Sequence, residues 1–283
     1  MTGAGADPTS FTGDGWQAFV EGVQRRWRYF PDNQAQSFLE AAAEYIHKNK
    51  KLSLGTEQTL FRARLGCQSG GSSGKIRDAI FAGGEAPTPF SAEQIVPTPE
   101  YAGNGRLGTK GIPVLYLSDS ANTAALEARP FVDDPVTIGT FKPSKELNLA
   151  DFRLPQKDGF LLDGVGRENG EADVTWLTVA ATISSPIRPE DAENAYRPTQ
   201  VLAEFLKISG FDGVAYLSAM KHGGVNYALF DANTVSCIST SAHSLEIAAP
   251  TLRDFPTQAA LTEWLSLHLL RRADGIIDHR KRK

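Results

Sequence analysis

The sequence predicts an α+β domain. Short strands and short helices follow one another in mixed order, without the sustained strand-helix alternation of a doubly wound sheet. No GxGxxG follows a strand, which removes the main support for a Rossmann dinucleotide fold, and no internal repeat is present. With 283 residues the chain can bury a sizeable core. A length of about 150 residues per domain allows one large domain with appendages. The texture of the chain divides it into a helical N-terminal unit at 1–57, a central domain at 58–245, and a C-terminal helix with a basic tail at 246–283.

The elements follow in order. DGWQAFVEGVQRRWRY (14–29) places Trp16, Phe19, Val20, Val23 and Trp27 on one helical stripe, with basic residues toward the end that the helix dipole prefers. Pro31-Asp32 breaks the pattern. NQAQSFLEAAAEYIHKNK then resumes it with Phe38, Ala42, Tyr45 and Ile46, so a helical hairpin is expected, packed on the central domain. TLFRARLG reads as a short strand, followed by the glycine- and serine-rich GCQSGGSSGK. That piece lacks the GxxxxGK[ST] spacing of a phosphate loop. Four prolines between 83 and 105 predict a long irregular loop.

IPVLYLS (112–118) is a buried strand, SANTAALEARP (120–130) a short helix capped by Ser120 or Asn122 and stopped by Pro130, and VTIGTFKP (136–143) a further strand. In PTQVLAEFLKISG, Pro198 suits the first turn of a helix, Val201, Leu202, Phe205 and Leu206 its apolar face, and Gly210 its C-cap. FDGVAYLS and NYALFD pair as strands across AMKHGGV. TQAALTEWLSLHLLRRADG is one more amphipathic helix, ending at Gly275.

Composition narrows the function classes. The chain is 41% hydrophobic and 22% charged with a net charge of -4, so it offers no global footprint for nucleic acid or an acidic membrane. No run reaches the ~18 apolar residues of a membrane span, and the start MTGAGADPTSFTGDG has neither the basic region nor the apolar core of a signal peptide. A cytoplasmic location is expected. Cys67 and Cys237 stand far apart with no CxxC, and no two of the five histidines fall at HxxxH spacing, so no disulfide framework and no metal site are expected.

Four segments carry the remaining signal: FRAR near residue 62, NGRLGTKGIPVLYLS, TAALEARP around 127, and PTQVLAEFLKISGFDGVAYLSAMKHGGVNYALFD from 198 to 231. Their ordered set, spanning 58 to about 240, resembles the RES family, named for an arginine, a glutamate and a serine, whose members degrade NAD and act as toxins in toxin-antitoxin pairs. By that resemblance the arginine is Arg106, the strand-closing tyrosine Tyr116, the helix glutamate Glu127 and the serine Ser218. Arg62 looks like the family's early arginine, with Arg64 as the alternative on the same strand face. The resemblance implies a split, curved sheet like that of ADP-ribosyltransferase toxins, with NAD as substrate, no cofactor, and an antitoxin protein as partner. The helical N-terminal unit, the long loop between Arg62 and Arg106 and the C-terminal helix depart from compact members.

Residue chemistry is compatible with those roles. Nicotinamide leaves ribose as a neutral molecule from a cationic bond, so no general acid is required, unlike in a two-carboxylate glycosidase. Glu127 would hold the ribose hydroxyls and oppose the developing oxocarbenium charge; Arg62 and Arg106 suit the diphosphate. Tyr116 offers a flat face, and Ser218 a hydroxyl to orient ribose or an amide. Asn226 and His222, in the hairpin after Ser218, are each either a ligand contact or, respectively, a turn former and a surface histidine. Taken singly, without the ordered set, Arg106 reads as a loop-surface arginine, Tyr116 as core and Glu127 as a solvated helix residue.

The expected activity is transfer of ADP-ribose from NAD to water or inorganic phosphate, the latter as co-substrate in a second anion pocket to which Arg64, Lys110 or Arg129 would contribute. The alternatives are ADP-ribosylation of a protein and a non-catalytic nucleotide- or antitoxin-binding module. A homo-oligomer fits any of the three.

Overall fold

The computed structural model describes residues 11–27, 29–68, 87–131, 134–154, 170–187 and 192–244. The expected C-terminal helix and most of GCQSGGSSGK lie outside them. Among the described residues no helix is long and apolar enough to cross a membrane.

The N-terminal hairpin is present. Thr12 caps α1 (Gly13–Glu21), which runs into a π-helical turn at Gly22–Arg26, and the Asp32 carboxylate caps α2 (Asn33–Asn49) by accepting from the Ala35 N–H at 2.9 Å. The apolar stripes meet as expected, with Phe19 and Phe38 stacked at 5.2 Å between ring centres. Their core is shared. Trp16, Phe38 and Ile46 belong to one buried cluster with Trp176 and Val179 of α5 (Glu171–Ser184) and Leu202 and Leu206 of α6 (Ala192–Ile208). Buried Asp173 of α5 accepts from the Tyr45 hydroxyl and pairs with Lys50 Nζ at 3.4 Å. Burial, and then the hydrogen bond to this carboxylate, push the Tyr45 phenol above its ordinary pKa. Helix α5 is thereby fixed to α2, which matters because its C-terminus reaches the cleft described below.

Eight strands form one curved mixed sheet: β1 (Lys51–Leu54), β2 (Leu60–Leu65), β3 (Leu115–Ser118), β4 (Pro135–Pro143), β5 (Leu147–Phe152), β6 (Gly213–Leu217), β7 (Val225–Leu229) and β8 (Val235–Ser244). Their order is β1-β5-β6-β7-β3-β2-β4-β8. β5 and β6 run parallel, a pairing that needs a long crossover; α5 and α6 lie in it, and the other pairs are antiparallel. The pleat sorts the side chains. Ala150, Phe152, Val214, Tyr216 and Ala228 face the helices, while Leu147, Leu149, Ala215, Tyr227 and Leu229 fill a second cluster with Leu115, Leu117 and Phe141 on the opposite side.

The sheet is nearly divided. β2 and β3 meet at a single residue pair, Phe61 with Ser118, whereas β2 pairs with β4 over six positions. One half is β1-β5-β6-β7-β3 and the other β2-β4-β8, joined by that one pair, in keeping with the split sheet expected from the resemblance.

Two local expectations change. The irregular loop before residue 105 contains a short helix, α3 (Ala92–Ile95), closed by a capping box of Ser91 and Gln94 that the proline count concealed. Helix α6 does not begin at Pro198 but encloses it. Proline there removes the donor to the carbonyl four residues earlier, and that carbonyl, on Asn194, accepts from Gln24 Nε2 of the N-terminal unit at 3.3 Å. Gly210 ends α6 at φ 93°, as expected for a left-handed cap.

Candidate active site

A cleft of about 600 Å³ opens beside the seam, within the ~300–1,000 Å³ usual for small-molecule sites. β2 supplies Arg62, β3 Tyr116 and Ser118, β7 Asn226, and the loop before β3 Arg106; helix α4 (Ala121–Ala128) supplies Glu127. Ser118, Asn226 and Tyr216 lie opposite one another on three adjacent strands, so one cross-strand row forms the floor.

Glu127 is the best-anchored of these residues. Its Oε1 accepts from Ser218 Oγ at 2.6 Å and from Asn226 Nδ2 at 2.7 Å, and Oε2 takes no hydrogen bond among the described residues. Asn226 is buried, and its Oδ1 accepts from Ser118 Oγ at 2.7 Å, so the amide orientation is determined from both ends. Ser218 stands behind the carboxylate and is not part of the cleft wall. Its hydroxyl donates to Glu127 and accepts the N–H groups of Met220 and Lys221, both at 3.1 Å, which uses its hydrogen-bonding capacity fully. The structure therefore joins Glu127, Asn226 and Ser218. It also shows that Asn226 is a strand residue and not a turn former.

The helix bearing Glu127 starts where its sequence says it should. Ser120 caps it through the Thr123 N–H, and Lys221 Nζ donates to the Ser120 hydroxyl at 3.1 Å, tying this start to the turn that follows Ser218. One face of α4 is thus clamped to the β6-β7 turn at both its beginning and the Glu127 carboxylate.

Arg106 is held by backbone. Its Nη1 donates to the carbonyls of Ile183, at 2.8 Å, and Ser185, at the end of α5. These are carbonyls that a helix C-terminus leaves unpaired, and the dipole there favours a cation. Arg106 lines the cleft, and the Tyr196 ring lies 5.9 Å from its guanidinium. Helix α6 secures the loop itself: Thr199 Oγ1 donates to the Arg106 carbonyl, and Gln200 Nε2 to those of Gly105, at 2.8 Å, and Gly108, at 3.2 Å. Gln200→Ala is expected to cost about 1–2 kcal/mol of unfolding free energy by orphaning the Gly105 carbonyl, that of Gly108 keeping the Gly105 N–H, read from urea denaturation. A variant as stable as the parent would show that the clamp contributes nothing.

Tyr116 meets this loop through its hydroxyl. Its hydroxyl accepts from the Leu107 N–H at 3.1 Å, and a Cβ at Gly105 would lie 2.6 Å from that oxygen, so only glycine fits. Burial pushes the phenol up to about 12, opposed by the Leu107 hydrogen bond and the Arg106 charge, so Tyr116 is neutral at physiological pH. Arg62 donates to the carbonyls of Ile95, at 2.8 Å, and Tyr116, at 3.1 Å. Burial, and next the Arg64 charge, pull it down to about 10, which still leaves a full cation at neutral pH. Arg64, by contrast, donates to the Gln94 carbonyl and lies 4.3 Å over the Phe90 ring, outside the cleft wall. Of the two early arginines, Arg62 faces the cleft.

Sequence reasoning missed Tyr196, Thr199 and Gln200. The last two lie in the quoted segment PTQVLAEF and read only as helix; what makes them count is a loop 95 residues away in the chain.

The RES domain family model matches residues 77–250. That span contains Arg106, Tyr116, Glu127, Ser218 and Asn226, with Arg62 preceding it. No curated protein sequence matches. Among solved structures, a chain in the crystal structure of the M. tuberculosis MbcT–MbcA toxin-antitoxin complex is similar, at 12% identity and a TM-score of 0.39, over 72% of this chain and 92% of that one.

Proposed function

The chain belongs to the RES domain family, and from that premise we propose that it is an NAD-consuming enzyme that breaks the bond between nicotinamide and ribose. The observation that supports this most directly is the single anchored carboxylate: two neutral donors fix Glu127 Oε1, and among the described residues no second acid hydrogen-bonds to it. Such an arrangement suits a reaction whose leaving group needs no proton. The C1′–N bond breaks with its electron pair passing to nicotinamide, which departs neutral. Glu127 opposes the positive charge that grows on the ribose, and water or phosphate closes the C1′–O bond on the other side, water losing a proton as it does so. Arg62 and Arg106 line the same cleft and bind the diphosphate through the donors their carbonyl contacts leave over. Ser218 positions Glu127 without touching substrate. In a cell such an enzyme is a toxin that depletes NAD, restrained by an antitoxin protein.

The test is nicotinamide release from NAD by the purified chain, followed with and without inorganic phosphate and with tagged NAD in lysate. Release by the parent and not by the Glu127→Gln variant supports the reading. Transfer of the tag to a protein would replace water or phosphate by a side chain as acceptor. Equal inertness of parent and variant toward NAD, alone and in lysate, would overturn it and leave a binding module.

A further inference from the structure

We propose that Arg129 is a third phosphoryl-binding point of the cleft, at its rim and separate from Arg62 and Arg106. The ligand is a phosphoryl anion, carried by the dinucleotide or free in solution. This rests on the reading of the cleft as an NAD site.

Three cations were candidates for a second anion pocket, and the structure separates them. Arg64 turns to the Gln94 carbonyl and the Phe90 ring, and Lys110 is exposed and does not itself line the cleft. Arg129 lines it. Its guanidinium makes no hydrogen bond or ion pair among the described residues, whereas those of Arg62 and Arg106 are each tied to two carbonyls. Among the described residues nothing occupies its five N–H donors.

The backbone points the same way. Arg129 is the C-cap of α4 at φ 51° and ψ 52°, the one described non-glycine residue with positive φ, and it precedes Pro130. Glycine would cap the helix there without the steric cost that any side chain incurs. What arginine adds at this position is therefore its side chain: a guanidinium two residues from Glu127, delivered to the cleft by the left-handed turn.

Charge balance supplies the ligand class. Glu193 also lines the cleft but is paired with Arg197 at 3.2 Å, so the cleft sets three arginines against the lone charge of Glu127. Three arginines less one glutamate leave two positive charges, which a phosphoryl-bearing anion, a diphosphate or a free phosphate, would balance. A guanidinium fork of that kind matches a phosphoryl group.

The experiment uses the full chain and two variants, Arg129→Gly, which relieves the left-handed strain while removing the charge, and Arg129→Lys, which restores the charge. NAD consumption is measured against NAD at fixed phosphate and against phosphate at saturating NAD. Thermal shift with ADP-ribose and with inorganic phosphate gives a readout that needs no turnover. We expect Arg129→Gly to fold at least as stably as the parent and to weaken one ligand about tenfold, with partial recovery in Arg129→Lys. A change confined to the phosphate constant identifies free phosphate as the ligand, and one confined to the NAD or ADP-ribose constant identifies the dinucleotide. If Arg129→Gly binds and uses every one of these ligands as the parent does, the proposal is overturned. If the parent cleaves no NAD yet either anion raises its Tm through Arg129, the anion site stands and the NAD-cleaving reading falls.

Discussion

Glu127→Gln is expected to lower nicotinamide release by about a hundredfold or more while leaving the fold and the binding of NAD in place. Glutamine keeps an oxygen where Oε1 stands, so Ser218 Oγ and Asn226 Nδ2 retain their acceptor at 2.6 and 2.7 Å. The atom that changes is Oε2, which takes no hydrogen bond among the described residues, so its replacement by an amide nitrogen breaks nothing in the network. What disappears is the negative charge. In the ground state nicotinamide carries the positive charge, and in the transition state that charge moves onto the ribose beside the carboxylate; an interaction that strengthens along this path acts on kcat. Preorganised electrostatic contacts of this sort contribute about 3 kcal/mol, or on the order of a hundredfold. The measurement is kcat from nicotinamide release together with the NAD dissociation constant from calorimetry. A variant with parental turnover would remove Glu127 from the reaction. One that neither binds nor turns over would show that the charge organises the cleft before any chemistry.

The ease with which Glu127 was found and the difficulty of Gln200 have one physical cause. Glu127 lies in a helix whose bounds are local: Ser120 caps it, Pro130 follows it, and both are visible in the eleven residues 120–130. The strands at 60–65, 115–118, 213–217 and 225–229 were equally legible, because apolar content and turn residues act over a few positions. The near-division of the sheet was not. It depends on β2 pairing with β3 through one residue while keeping six partners on β4, a matter of register between segments more than fifty residues apart. Helix α6 illustrates the same limit at shorter range. Pro198 read as a start signal because a proline inside a helix abandons a carbonyl, and the donor that rescues that carbonyl, Gln24, belongs to the N-terminal unit. Asn226 was mistaken for a turn residue as one option because asparagine favours turns; burial between Ser118 and Glu127 gives its amide a different use.

Asn226→Asp is expected to make both stability and activity fall as pH rises. In the parent, Asn226 is buried at 3% exposure and serves as a neutral adaptor, accepting from Ser118 Oγ and donating to Glu127 Oε1. A protonated aspartic acid reproduces this: its carbonyl oxygen accepts from Ser118 and its O–H donates to Glu127. An ionised one cannot, because it presents an acceptor to an acceptor and sets two negative charges at hydrogen-bond distance. Two carboxyls so placed share a proton, and burial acts in the same direction, so the pair holds one proton to a pH well above the ~3.9 of a free aspartate. The folded pKa of the pair's shared proton is thus raised above its unfolded value. Below about pH 4 the aspartyl group is protonated in both states and the variant is near the parent. As pH rises the unfolded chain ionises first, so stability declines through the window up to the raised folded pKa and is level beyond it. The full loss, once an uncompensated charge is buried, is about 3 kcal/mol. Turnover is expected to follow the same window, since only the protonated form keeps Glu127 anchored as in the parent. Denaturant titrations and NAD turnover across pH 5 to 9, in parent and variant, give both curves. A pH-independent deficit in the variant would mean that the amide of Asn226 acts through its shape alone, and that the hydrogen bond to Glu127 does not set the carboxylate's function.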